Sequence, residues 1–176
     1  MVLFDNNFLS YLLCPDARSP INPETGEPVA QAQQRIKHLI QTLEQSKTRI
    51  LIPSPVLAEV LVFSGDALDD WLTTINTTSV FEVADFDQRA AIELAYMEQH
   101  IRSQGDKRAN QEGSWAKIKF DRQIVAIAKV YQVSCLYTDD NGMKYWAEKQ
   151  GIMVKQLQDV ELPPQQSLPL NKFNES

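Results

Sequence analysis

Five short apolar runs recur along the chain, at residues 1–4, 49–52, 79–83, 134–137 and 152–155, and helical spacing fills most of the sequence between them. Helical stretches are expected at residues 7–13, 29–45, 54–63, 66–74, 85–101, 115–131 and 142–150. In the second of these, Ile36, Leu39, Ile40 and Leu43 form one stripe. Ser54-Pro55 opens the third in the manner of a cap followed by proline at the first helical position. Strands that alternate with helices imply a parallel sheet covered on both faces. The expected fold is therefore α/β, three layers deep, with a central parallel sheet of four to five strands.

Two segments interrupt the alternation. Residues 14–28 hold Pro15, Pro20, Pro23 and Pro28 together with Gly26, and residues 102–114 are polar, so both are expected as loops. Beyond residue 160, Pro163, Pro164 and Pro169 lie among polar residues. The expected organisation is one domain over residues 1–160 and a disordered tail over 161–176.

Composition removes several classes of function. Cys14 and Cys135 are too few for a disulfide framework and stand in no zinc-like spacing. No stretch approaches the roughly 18 apolar residues of a membrane span. The start of the chain has no basic segment, and Asp5 breaks its apolar run, so a cytoplasmic protein is expected. The net charge of −6 argues against a broad nucleic-acid surface. It is compatible with a small acidic site, because a bound cation reverses the local field.

Two carboxylates sit where apolar residues were expected. Glu59 interrupts the run Val56 to Phe63, with Val56, Val62 and Phe63 as helical neighbours. Asp121 falls within a stripe of Trp115, Ile118, Ile124, Val125 and Ala128. A carboxylate in such a place must be neutralised, hydrogen-bonded or bound to a cation. Two further acids follow strands: Asp5 comes after Val2-Leu3-Phe4, and Asp139-Asp140 after Leu136-Tyr137-Thr138. Singly, such an acid is a helix cap. Together they point to one site, since open parallel sheets bind ligands beyond the carboxyl ends of their strands.

These segments resemble the motifs of PIN domains. Phe4-Asp5-Asn6-Asn7-Phe8-Leu9 is similar to the opening D-x-N segment, and Ser54-Pro55-Val56-Leu57-Ala58-Glu59-Val60 to the second motif. Phe120-Asp121-Arg122-Gln123-Ile124 resembles the third motif, and Leu136-Tyr137-Thr138-Asp139-Asp140 the fourth, a strand ending in T-x-D. The resemblance covers roughly residues 1–155. It implies a VapC-like ribonuclease that cleaves single-stranded RNA with Mg²⁺ or Mn²⁺. Asp5, Glu59, Asp121 and Asp140 would hold the metal, with Asp139 as an accessory acid or a cap, and Asn7 and Thr138 would orient these carboxylates. An antitoxin partner and a homodimer are also implied; a non-catalytic interaction module with the same fold is the alternative. A phosphatase would need a D-x-D-x-[TV] segment, which Asp5-Asn6-Asn7 does not supply.

Lys107 and Arg108 in the polar loop, and Lys117, Lys119 and Arg122 near Asp121, are candidate contacts to an RNA backbone. His38 and His100 lie far from every motif and are expected to be solvated rather than catalytic.

Overall fold

The structure, a computed structural model, describes residues 1–14, 16–103, 105 and 113–164. Five strands, β1 (Val2–Phe4), β2 (Ile50–Pro53), β3 (Phe81–Ala84), β4 (Cys135–Tyr137) and β5 (Val154–Lys155), form a wholly parallel sheet in the order β3-β2-β1-β4-β5. Seven helices among the described residues link or follow them: α1 (Asn6–Leu13), α2 (Ala32–Gln45), α3 (Ser54–Val62), α4 (Leu68–Thr77), α5 (Gln88–Ser103), α6 (Trp115–Val130) and α7 (Asn141–Lys149). The α/β fold and the five strands are as the alternation implied. None of the described helices is long and apolar enough to cross a membrane.

Side chains on a strand point alternately to the two faces of a sheet, and both faces here are packed. Val2, Phe4, Ile50, Cys135 and Tyr137 enter one core, closed by the α2 stripe of Ile36, Leu39, Ile40 and Leu43. Leu3, Leu51 and Leu136 enter the other, where Val56 and Val60 of α3, Met97 of α5, Ile124 to Ala128 of α6 and Trp146 of α7 cover them. Helix α1 contributes to both cores, Phe8 and Tyr11 to one and Leu9 and Leu13 to the other. That double anchorage fixes the residues that lead into it.

Some boundaries differ from expectation for local reasons. Helix α2 begins at Ala32 because Gln31 takes a left-handed conformation, with φ of 57°. The stretch expected at 66–74 opens as a 3-10 turn, Gly65–Ala67, before α4 begins. Trp115, read as part of the α6 stripe, is 37% exposed, whereas Ile118, Ile124, Val125 and Ala128 are buried as expected. It stands in the first turn of its helix, beyond the edge of the core.

Leu3 is fully buried on the central strand of the sheet. Leu3→Ala is expected to lower the unfolding free energy by about 2–5 kcal/mol, read from urea denaturation.

Candidate active site

Register is what brings the acids together. Phe4 of β1 lies opposite Tyr137 of β4, so the next residues, Asp5 and Thr138, leave the sheet side by side. The Asp5 N–H donates to the Tyr137 carbonyl at 3.2 Å. The chain then turns at once into α1, and Asp5 is its N-cap: Oδ1 accepts the Phe8 N–H at 3.0 Å. Asp140 does the same for α7, accepting the Met143 N–H at 2.8 Å. Each cap uses one carboxylate oxygen. Asp121 comes in from α6 and Glu59 from α3. All four acids line a single cleft of about 520 Å³, with Asn6, Asn7, Lys117, Phe120 and Met143 among the other lining residues.

Thr138 and Asn7, the two polar residues expected to orient the acids, both lie beside Asp5. Thr138 is fully buried; its side chain hydrogen-bonds Asp5, and its Oγ1 accepts the Asp140 N–H at 3.0 Å. Asn7 Nδ2 stands 3.5 Å from Asp5 Oδ2, at the limit of a hydrogen bond. Asp139, expected as an accessory acid or a cap, is not among the residues that line the cleft; its Oδ1 accepts the Leu157 N–H at 2.9 Å and its carboxylate lies near the Tyr11 hydroxyl.

Of the expected RNA contacts, Arg122 is excluded by burial. It has no exposed surface, pairs with Glu98 at 2.8 Å, and lies against the rings of Trp115 and Trp146. Lys119 is exposed but packs over Trp115, in a separate hollow with Arg102 and Gln123. Lys107 and Arg108 lie outside the described residues. His38 and His100 do not line the cleft.

Glu59 is only part-buried, and its supposed apolar surroundings are open: Val62 and Phe63 are 77% and 76% exposed. Helix α3 is apolar nearly all round but buries only Val56 and Val60, so composition overstated its burial.

Sequence reasoning passed over Phe120 and Gly142 as site residues, and took Lys117 only as a candidate RNA contact. Lys117 joins the acids themselves, 3.1 Å from Asp121 Oδ2 and 2.7 Å from Asp140 Oδ2. Its i, i+4 spacing from Asp121 was a usable signal. Phe120 supplies the aromatic wall of the cleft. A Cβ on Gly142 would stand 3.1 Å from Asp140 Oδ1 and 3.9 Å from Asp121 Oδ2, so glycine keeps room beside both carboxylates.

By sequence, no family model and no curated protein matches the chain. Solved structures do match it in fold. VapBC2 from Rickettsia felis, bound to a DNA fragment from its promoter, superposes with a TM-score of 0.58 at 14% identity, over 89% of this chain and 98% of its own. FitAB bound to the IR36 DNA fragment gives a TM-score of 0.59 at 16% identity, over 92% and 98%. VapC20 from Mycobacterium tuberculosis, a sarcin-ricin loop cleaving toxin, gives 0.51 at 14%, over 83% and 95%. These likenesses bear out the PIN-type fold that the motifs implied.

Burial sets the electrostatics of the cleft. Loss of water pushes the Asp5 carboxyl up to about 7, despite the bonds from Thr138 and Phe8, and nearby Asp139 and Asp140 push the same way. Burial raises Asp121 to about 6, with Lys117 opposing and Asp140 and Glu59 reinforcing. Glu59 is also raised by burial, against the pull of Lys117. For Asp140, burial is outweighed by the Lys117 ammonium and the Met143 N–H, and its carboxyl lies below the usual range.

The donors are all oxygen, which suits Mg²⁺ or Mn²⁺. Among the described residues no three acids stand close enough to enclose an ion as the side chains are placed. Two of them, Asp121 and Asp140, already share one positive group, the Lys117 ammonium, and Gly142 places no side chain beside it.

A carboxyl raised on folding binds a proton in the native state at pH values where the unfolded chain has lost it. Its contribution to stability is complete below about pH 4 and falls as pH rises towards 7. Asparagine keeps the cap but does not titrate. In metal-free buffer, Asp5→Asn should therefore gain in melting temperature relative to the parent protein as pH rises from 4 to 7, and level off above. A difference that stays flat with pH would contradict the burial argument for Asp5.

Proposed function

We propose that this chain is a divalent-metal-dependent endoribonuclease that hydrolyses phosphodiester bonds in single-stranded RNA. The observation that carries this reading is the convergence of Asp5, Glu59, Asp121 and Asp140, from four separate elements, on one cleft. Water-poor sites rarely gather like charges unless a cation joins them. Mg²⁺ or Mn²⁺, when bound, would supply a water of lowered pKa and positive charge for the phosphate.

The chain's own residues have separable parts in this scheme. Asp5 and Asp140 each spend one oxygen on a helix cap and present the other to the cleft. Thr138 couples them, fixing the Asp5 side chain while accepting the Asp140 N–H. Phe120 offers a flat apolar wall, which suits an unstacked base of single-stranded RNA.

The chain is further proposed to be the toxin of a toxin–antitoxin pair. Two of its structural neighbours are complexes with an antitoxin on DNA, and a third is a cleaving toxin, which supports such a partner. A competing reading, a PIN-fold binding module without catalysis, draws on the spacing of the acids, which leaves no enclosed ion position among the described residues.

Purified protein is expected to cut a labelled single-stranded RNA with Mn²⁺, and to lose that activity with EDTA or as Asp121→Asn. Thr138→Val should retain the fold and lose about 10- to 100-fold in cleavage or metal affinity. Cleavage that survives Asp121→Asn would overturn the site. A protein that neither cuts RNA nor binds Mn²⁺ in a titration would favour the binding module.

A further inference from the structure

Lys117 stands in an unusual place for a cation. It is the third residue of α6, and the Ser114 hydroxyl caps its N–H at 3.2 Å. The first turn of a helix carries the positive end of its dipole, which disfavours an ammonium there. The compensating contacts are both acids of the cleft: Asp121, one turn on in the same helix, and Asp140, the cap of α7. Lys117 thus ties two helices together across the cleft. Its side chain is 45% exposed, while that of Asp121 is 6% exposed. The acid is fixed in the wall, and the ammonium is free to withdraw into solvent without opening the core.

Gly142 completes the arrangement. A Cβ there would stand 4.0 Å from Lys117 Nζ as well as close to both carboxylates. The space beside the acids is thus kept open on the α7 side and filled from the α6 side by a side chain that can leave.

We propose that Lys117 is a built-in counter-ion that holds the acidic cleft in its metal-free state and must be displaced from Asp121 and Asp140 when a divalent ion binds. The inference rests on the metal-site reading above and adds to it a competition within the chain. The lysine balances charge when no ion is present, and it weakens metal binding by the strength of its own two contacts. Once displaced, its ammonium remains at the mouth of the cleft that lines up the acids.

The test reads metal binding and lysine accessibility, not cleavage. Mn²⁺ affinity is measured by calorimetry for the parent protein, Lys117→Met and Lys117→Arg, with circular dichroism to check folding. Lys117→Met keeps the length of the side chain and is expected to bind Mn²⁺ about tenfold more tightly, the weight of two partly exposed ion pairs. Lys117→Arg should bind no more tightly than the parent.

Removal of a nearby positive charge would alone tighten binding somewhat, so displacement is read separately. Acetylation of Lys117, followed by mass spectrometry, should be slow in EDTA and rise several-fold in saturating Mg²⁺. Equal Mn²⁺ affinity in the parent and Lys117→Met would overturn the competition while leaving the metal site intact. Labelling that Mg²⁺ does not change would overturn displacement in the same way. Absence of Mn²⁺ binding in all three proteins would overturn both this inference and the metal-site reading beneath it.

Discussion

The pairing of β1 with β4 is the contact on which the rest of the site depends. Because Phe4 and Tyr137 are partners in a parallel ladder, the two strands end level, and the residues after them emerge together at one edge of the sheet. Parallel strands leave the sheet in the same direction, so their following helices also start there. Asp5 and Asp140 cap those helices, and the caps hold both acids at the rim. A slip of one residue in that register would exchange the faces of the strand and send Phe4 into the wrong core. The packing of Phe4, Phe8 and Tyr137, with ring centroids 5.3–5.5 Å apart, works against such a slip.

Gathering carboxylates at a partly buried rim raises their free energy, and the molecule answers with several fixed positive contacts. Backbone N–H groups at two helix starts satisfy one oxygen each, and the dipoles of those helices favour negative charge at the same point. Thr138 adds a hydroxyl, and Lys117 is the one basic residue among the described residues that line the cleft. Compensation is uneven. Asp140, with the lysine and a cap, is held below the usual carboxylate range, whereas Asp5, with only uncharged donors, is pushed up to about 7. The cleft is therefore poised to take up more positive charge, which is the physical basis for reading it as a cation site.

The second support is the buried guanidinium of Arg122. It has no exposed surface and joins α5 through Glu98 and α7 through Trp146, next to Asp121 in sequence. The charge on Arg122 thus serves the frame that carries an acid of the cleft, and the charge on Lys117 serves the cleft itself. Five residues of α6 separate Lys117 from Arg122, enough to turn one towards the cleft and the other into the core, and no count of basic residues distinguishes them.

What the sequence determined by itself was the alternation of elements, hence the parallel sheet, and the identity of the acids. Strand ends and helix starts are local events, so Asp5 and the pair Asp139-Asp140 could be placed from their neighbours alone, and the burial of Asp121 followed from the period of α6. What only the tertiary structure decided was which side chains share a space. Glu59 looked buried because α3 is apolar, but exposure depends on what packs over a helix, and nothing described covers Val62 and Phe63. Asp139 and Asp140 are adjacent in the chain and face different ways, because one caps α7 and the other meets the Leu157 N–H eighteen residues later. Lys117 was visible as a basic residue near Asp121, but its second partner, Asp140, lies 23 residues away and is reached only when α6 and α7 pack. Such contacts depend on distances set by the whole fold, and local spacing does not encode them.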